Sequence, residues 1–141
     1  MAGTVSKSIF VANGQYLSYV TDNDVTLGNC VQITSTGTDT CDVGAANTTF
    51  GGIAVSGNRE SRTATDNVVS AGNRVTACRK GICNVYTGTS TIVRGSFLEM
   101  GAAGIVELAG TAGTATDIKD VIAIALEGNS GAAATIRILL L

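Results

Sequence analysis

Residues 53–58 read "IAVSGN", and near the other end of the chain residues 124–129 read "IALEGN". Each phrase joins an aliphatic run to a Gly-Asn pair. Alternating Ile with Val or Leu suits a strand with one buried face. Gly-Asn suits the turn by which such a strand exits. The repetition predicts two related β-units packed into one domain. Ile53 and Ile124 are expected to be equivalent and buried.

A second phrase recurs around the first. "LGNCVQI" (27–33), "AGNRVTA" (71–77) and "RGSFLEM" (94–100) share a Gly, then a small polar residue, then an alternating strand. Gly supplies a left-handed turn residue at no steric cost, and the strand residues after it alternate between two faces. The first copy leads on to the phrase ending at Gly57, and the third to the phrase ending at Gly128. This predicts a strand-turn-strand unit used twice, with an extra hairpin between.

Composition agrees. The chain has 141 residues, one domain's worth, and only 4% are aromatic. Its core is therefore built from Val, Ile, Leu and Ala. Val, Ile and Thr are stiff at χ1 and fit a pleated sheet. Eighteen Gly and no Pro point to many tight turns. The expected fold is all-β, a compact β-barrel or β-sandwich with short hairpins. An extended N-terminal arm (1–8) precedes a single β-domain (9–141).

Three hairpins are expected locally. Asn13-Gly14 is the pair that a type I′ turn requires, which would set Val11 against Tyr16 and Phe10 against Leu17. "CRKGIC" (78–83) reads as a hairpin with Lys80-Gly81 at its tip. "VQITSTGTDT" (31–40) reads as another, between Cys30 and Cys41. Residues 61–67 and 109–116 read as loops. Asp117 suits the cap of a short helical turn ahead of the β-branched run at 121–124.

Catalytic equipment is hard to assemble from this sequence. There is no His, which removes the commonest general base, the Ser-His-Asp arrangement and most zinc hydrolase sites. The carboxylates are scattered among turns and strand ends. Asp22-Asn23-Asp24 lacks the Gly and the distant Glu of an EF-hand loop, so it reads as a solvated turn. Asn47-Thr48-Thr49 matches a glycosylation acceptor but, with no secretory signal expected, reads as a polar loop. Cys30, Cys41, Cys78 and Cys83 do not have zinc-ribbon spacing. Two readings stand for them: local disulfides Cys30–Cys41 and Cys78–Cys83, or buried thiols acting as small hydrophobes. Both are structural. No catalytic residue, metal or cofactor is expected.

Charged residues make up 14% of the chain, with a net charge of −2 and a mean hydropathy of +0.32. A nucleic-acid partner would need a basic stripe, and the densest cationic spot is Arg79-Lys80, read as a solvated turn. No apolar run approaches the roughly 20 residues that span a bilayer. Low charge suits a chain that hides much of its surface against neighbours.

The order of motifs is distinctive: "GQYLSYV", "GGIAVSG", "VSAGNRVTACRKGICNVY", "IVRGSFLEM", "GIVEL", "DVIAIALEG" and a closing "ATIRILL". Over about residues 14–140 it resembles the small capsid decoration (cement) proteins of tailed viruses of bacteria or archaea. It departs from them at Ala123, where the family often has Gly, while Gly52-Ile53-Ala54 keeps the pattern. The resemblance implies a non-enzymatic homotrimer made in the host cytoplasm. It would bind the major capsid protein on the outer surface of an icosahedral head, at threefold or quasi-threefold sites, and stabilise the head by bridging capsomers. Nucleic acid and membrane are not expected partners. Polarity and position make Thr4, Val5, Ser6, Lys7, Ser8, Ile9 and Phe10 the candidate capsid-binding arm. They make Ile136, Ile138, Leu140 and Leu141 the candidate trimer seam. The alternative is a non-catalytic surface- or glycan-binding β-module of a fibre or surface layer. The absence of Trp and the presence of only three Tyr argue mildly against it.

Overall fold

The structure is a computed structural model that describes residues 11–57, 67–110 and 121–141. Over those residues it is all-β, with one 3-10 turn at Ala102–Gly104. The strands are β1 (Val11–Thr21), β2 (Val25–Thr26), β3 (Cys30–Thr34), β4 (Thr40–Val43), β5 (Phe50–Gly57) and β6 (Val68–Val69). They continue as β7 (Arg74–Tyr86), β8 (Phe97–Met100), β9 (Val106–Leu108), β10 (Ala123–Ala125) and β11 (Thr135–Leu140).

Five strands close a mixed barrel in the order β1-β4-β3-β5-β7, with β7 returning to β1. Among these described barrel strands, only the β1–β4 pair is parallel. The remaining strands extend the sheet from β7 through β11 and β10 to β8 and β9. The 13-residue β7 makes this possible. Its Val75–Cys78 part pairs with β5, its Gly81–Tyr86 part pairs with β11, and β1 runs along the other side.

Two cores result from this layout. Tyr19, Val25, Leu27, Val31, Cys41, Ala54, Val69, Val75 and Ala77 fill the barrel. Ile53, Val55, Cys78, Val85, Leu98, Met100, Ile136, Ile138 and Leu140 belong to a second core, between barrel strands and the outer sheet. Strand β5 lies between the two. Ala54 faces one core, while Ile53 and Val55 face the other. Its continuous apolar run is what a strand buried on both faces requires.

Two expected hairpins are replaced by one ladder. Asn13-Gly14 does not turn the chain. It falls inside β1 as an irregularity between the pairs Ala12↔Ile82 and Gln15↔Lys80. "CRKGIC" does not turn either, because β7 runs straight through it, with Gly81 at φ +114. The two supposed hairpin tips oppose each other as extra residues in the β1–β7 pairing. A hairpin turn competes only for local pairing. Here each strand finds a long partner elsewhere, and Gly-containing pairs absorb the bend where β7 passes from β5 to β11. The third hairpin forms as expected from β3 and β4, but its register sets Cys41 against Ile33 rather than Cys30.

The repeated phrases are structurally real, and threefold rather than twofold. Gly28, Gly72 and Gly95 all have positive φ and sit in turns closed by Asn29 N–H to Thr26 O, Asn73 N–H to Ser70 O and Ser96 N–H to Val93 O, at 3.0–3.2 Å. Positive φ at the third turn residue is the type II requirement that Gly meets. Each Gly N–H then reaches across to another strand, donating to Ala54 O, Thr21 O and Ala125 O respectively, each at 2.8 Å. The same three residues donate back, Ala54 N–H to Asn29 O, Thr21 N–H to Asn73 O and Ala125 N–H to Ser96 O. Each turn therefore clasps a neighbouring strand by two bonds. The clasps make Ile53 and Ile124 register-equivalent, facing Cys30 and Phe97 respectively. They are not equally buried. Ile53 is fully buried and Ile124 only half-buried, because Ala123 and Ala125 take the inward positions of β10.

Candidate interaction surface

The alternation of the outer sheet exposes a row of apolar side chains. Direct cross-strand pairs link Phe97 on β8 to Ile124 on β10, Ile124 to Leu139 on β11, and Leu139 to Ile82 on β7. Directly opposed residues share a face, so the four form one band across four strands. Phe97 is 56% exposed and Leu139 37%, with Ile124 and Ile82 half-buried. Beside the row, Arg137 lies 4.0 Å from Glu127, a half-exposed pair of small energetic weight.

The candidate seam residues divide by the same alternation. Ile136, Ile138 and Leu140 point into the second core and are buried within the single chain. The other face of β11 carries Thr135, Arg137 and Leu139, followed by exposed Leu141. "IRILL" shows the right strand, but period two leaves its facing undecided until the partner layer is known. Candidate arm residues Thr4–Phe10 lie outside the described residues, as do Asp117 and most of the two expected loops at 61–67 and 109–116.

The four cysteines are free and buried. Cys30 and Cys41 are not brought together, since they occupy different cores. Cys78 and Cys83 are brought together, by the bend in β7 rather than by a hairpin. The Cys78 thiol also donates to Lys80 O at 3.0 Å. Hydrogen bonding from Cys83 lowers the Cys78 pKa, and the same bond together with burial raises that of Cys83. Burial also raises Cys30, and it raises Cys41 to about 12 with help from Asp22 and Asp42. Cys30, Cys41 and Cys83, held protonated in this way, are poor nucleophiles.

The Asp22-Asn23-Asp24 carboxylates are spent within the fold. Asp22 accepts from the Thr34 and Thr36 hydroxyls at 2.8 and 2.7 Å, and Asp24 accepts from Ala71 N–H at 2.9 Å. Arg79 is not at a turn tip. Its guanidinium stacks over the Phe50 ring at 5.2 Å and lines a cavity with Phe50, Glu99 and Ile122.

Sequence reasoning also missed Asn129. Its buried side chain accepts from Ile92 N–H and Gly131 N–H, both at 2.9 Å. It donates to Ser90 O at 2.7 Å, Gly88 O at 3.2 Å and the Thr87 hydroxyl at 3.3 Å. The Gly-Asn phrase signals a turn, and nothing local signals that its side chain ties down a distant loop.

Comparison with known proteins gives a fold-level match. No protein-family model matches the chain, and no curated protein matches it either. Among solved structures it is similar to the N base of the head fibre gp8.5 of bacteriophage phi29. The likeness covers 91% of this chain and 94% of that one, with a TM-score of 0.54 and 13% identity. The shared feature is therefore the architecture, carried by a largely different sequence.

Proposed function

We propose that the chain is a non-catalytic decoration protein of a tailed-virus head, bound to the major capsid protein on the outer surface of the virion. The observation that carries the reading is an exposed apolar band across four strands, on a fold resembling the base of a phage head fibre. Contiguous exposed apolar rows mark contact surfaces. Beyond attachment, the reading assigns a homotrimer at threefold or quasi-threefold sites that bridges capsomers. Three modest contacts engaged together give avidity without one large interface. Residues Thr4–Phe10 add a backbone-mediated contact to a capsid sheet edge.

The test is native mass by light scattering, alone and with heads lacking the protein. A trimer that sediments with heads in saturable, stoichiometric amounts supports the reading. Replacing Phe97 and Leu139 by Ser should release it from heads or break the trimer while the thermal transition stays cooperative. A monomer that ignores heads would remove the decoration role.

A further inference from the structure

Cys78 and Cys83 are five residues apart on β7. In a straight strand that spacing sets side chains on opposite faces and about 16 Å apart. Here both belong to the second core, and their thiols are hydrogen-bonded to each other. Two irregularities in the β1–β7 pairing, between Ala12 and Gln15 and between Gln15 and Tyr16, bend β7 and bring the pair together. The other two cysteines are placed apart from Cys78. Cys41 lies in the barrel core, and Ile53 stands between Cys30 and Cys78 in one cross-strand row. The pair also brackets the joint of the molecule. Cys78 pairs with Ile53 of β5, and Cys83 pairs with Ile138 of β11.

We propose that Cys78 and Cys83 form a reversible cross-link site, closed to a disulfide by exchange with a low-molecular-weight disulfide and reopened by thiols. Cys78 Sγ, as the thiolate, attacks one sulfur of the oxidant, forms a mixed disulfide and releases one thiolate. Cys83 then gives up its proton and attacks Cys78 Sγ, and the second thiolate leaves. Two electrons and two protons pass to the oxidant, which ends as two thiols. Cys78 is the entry point because the bond from Cys83 holds its pKa down, while Cys83 itself stays protonated. Both thiols are buried, but the segment between them is not: Lys80 is exposed, and Arg79, Gly81 and Ile82 are half-buried. Opening this bend, rather than the barrel, admits the oxidant. Closure fixes the angle at which one half of β7 serves β5 and the other serves β11. Cytosol keeps thiols reduced and extracellular surroundings oxidise them. On a head-bound protein the bond would form after release from the host, but the chemistry belongs to the chain alone and does not rest on that reading.

The experiment incubates the folded full chain with oxidised glutathione, alkylates the remaining thiols, and reads a tryptic digest by mass spectrometry with and without reductant. Trypsin cuts at Arg79 and Lys80, between the two thiols, and leaves Cys30 and Cys41 together in residues 8–59. The expected product joins residues 75–79 to residues 81–94 until reductant is added. Its intact mass should be lower by about 2 Da, the two hydrogens lost. Its thermal midpoint should rise by roughly 5 °C. Cys83→Ser should stop at a glutathione adduct on Cys78, and Cys78→Ser should take up no glutathione at Cys83. Where a variant fails to fold, the digest of the unaltered chain decides alone. A link from Cys83 to residues 8–59, a glutathione adduct that persists in the unaltered chain, thiols left unreacted, or a lower midpoint after closure would each overturn the proposal.

Discussion

Ile53 and Ile124 occupy the same position in two copies of one clasp, yet one is sealed in the core and the other lies half-buried on the outer sheet. Hydrogen-bond register is the same in both: Gly28 and Gly95 each hold an Ala carbonyl, and the residue after each Gly accepts the bond back. What differs is the layer above. The Ile53 face of β5 is roofed by the outer sheet, while the Ile124 face of β10 looks outward beside Phe97 and Leu139. A turn therefore fixes the pairing, and the packing of layers decides what the pairing buries. The second copy has turned its phrase into surface.

The largest expected effect tests that contrast. Ile53→Ala removes a fully buried side chain where cores collapse poorly, and should cost roughly 2–5 kcal/mol. Ile124→Ala should cost about 1 kcal/mol or less. Urea unfolding with an unchanged m-value would measure both. Equal losses would mean that the outer face is covered within the monomer. Ile124→Ala should instead show its main effect on association.

Next in size is Asn129, which closes the second phrase. Removing its amide takes the partner from the Ile92 and Gly131 N–H groups and from the Ser90 carbonyl, while Gly88 O keeps the Thr87 hydroxyl. Asn129→Ala should destabilise by on the order of 2–3 kcal/mol. Hydrogen exchange should quicken at Ile92 and Gly131 before the barrel strands. Loss confined to global stability, with Ile92 still protected, would show that the loop is held by something else.

How much of this was legible obeys the same division. The all-β class and the Gly-led turns are readable because positive φ at Gly28, Gly72 and Gly95 is a local demand with a residue type to match. Register is readable where a short loop enforces it, as between β3 and β4. The β1–β7 ladder is not, because Asn13-Gly14 and Lys80-Gly81 carry strong local turn signals. Only the long-range match of two strands converts them into opposed irregularities. Facing is unreadable for the same reason. Ile136, Ile138 and Leu140 alternate cleanly, and either face of β11 would suit the pattern alone. Arg79 and Glu99 are 20 positions apart in the sequence and line one cavity only in the fold.

The smallest effect separates the clasps themselves. At Gly95 and Gly72 an added Cβ meets nothing within 4 Å, so an Ala there carries only the cost of positive φ, about 1–2 kcal/mol. At Gly28 the same Cβ would come 2.8 Å from the Tyr86 ring, so displacing a half-buried Tyr adds about 1 kcal/mol. Gly28→Ala should therefore be the most destabilising of the three, by a margin visible in urea midpoints, with Gly72→Ala and Gly95→Ala alike. Tyr86 N–H donates to Gly28 O, so the barrel clasp is also the point where the far end of β7 is tied back to β3. Gly28→Ala should loosen that tie and speed exchange at Tyr86, which Gly95→Ala would leave protected. An identical response at all three glycines would mean that backbone strain alone sets the cost and that the Tyr86 contact yields freely.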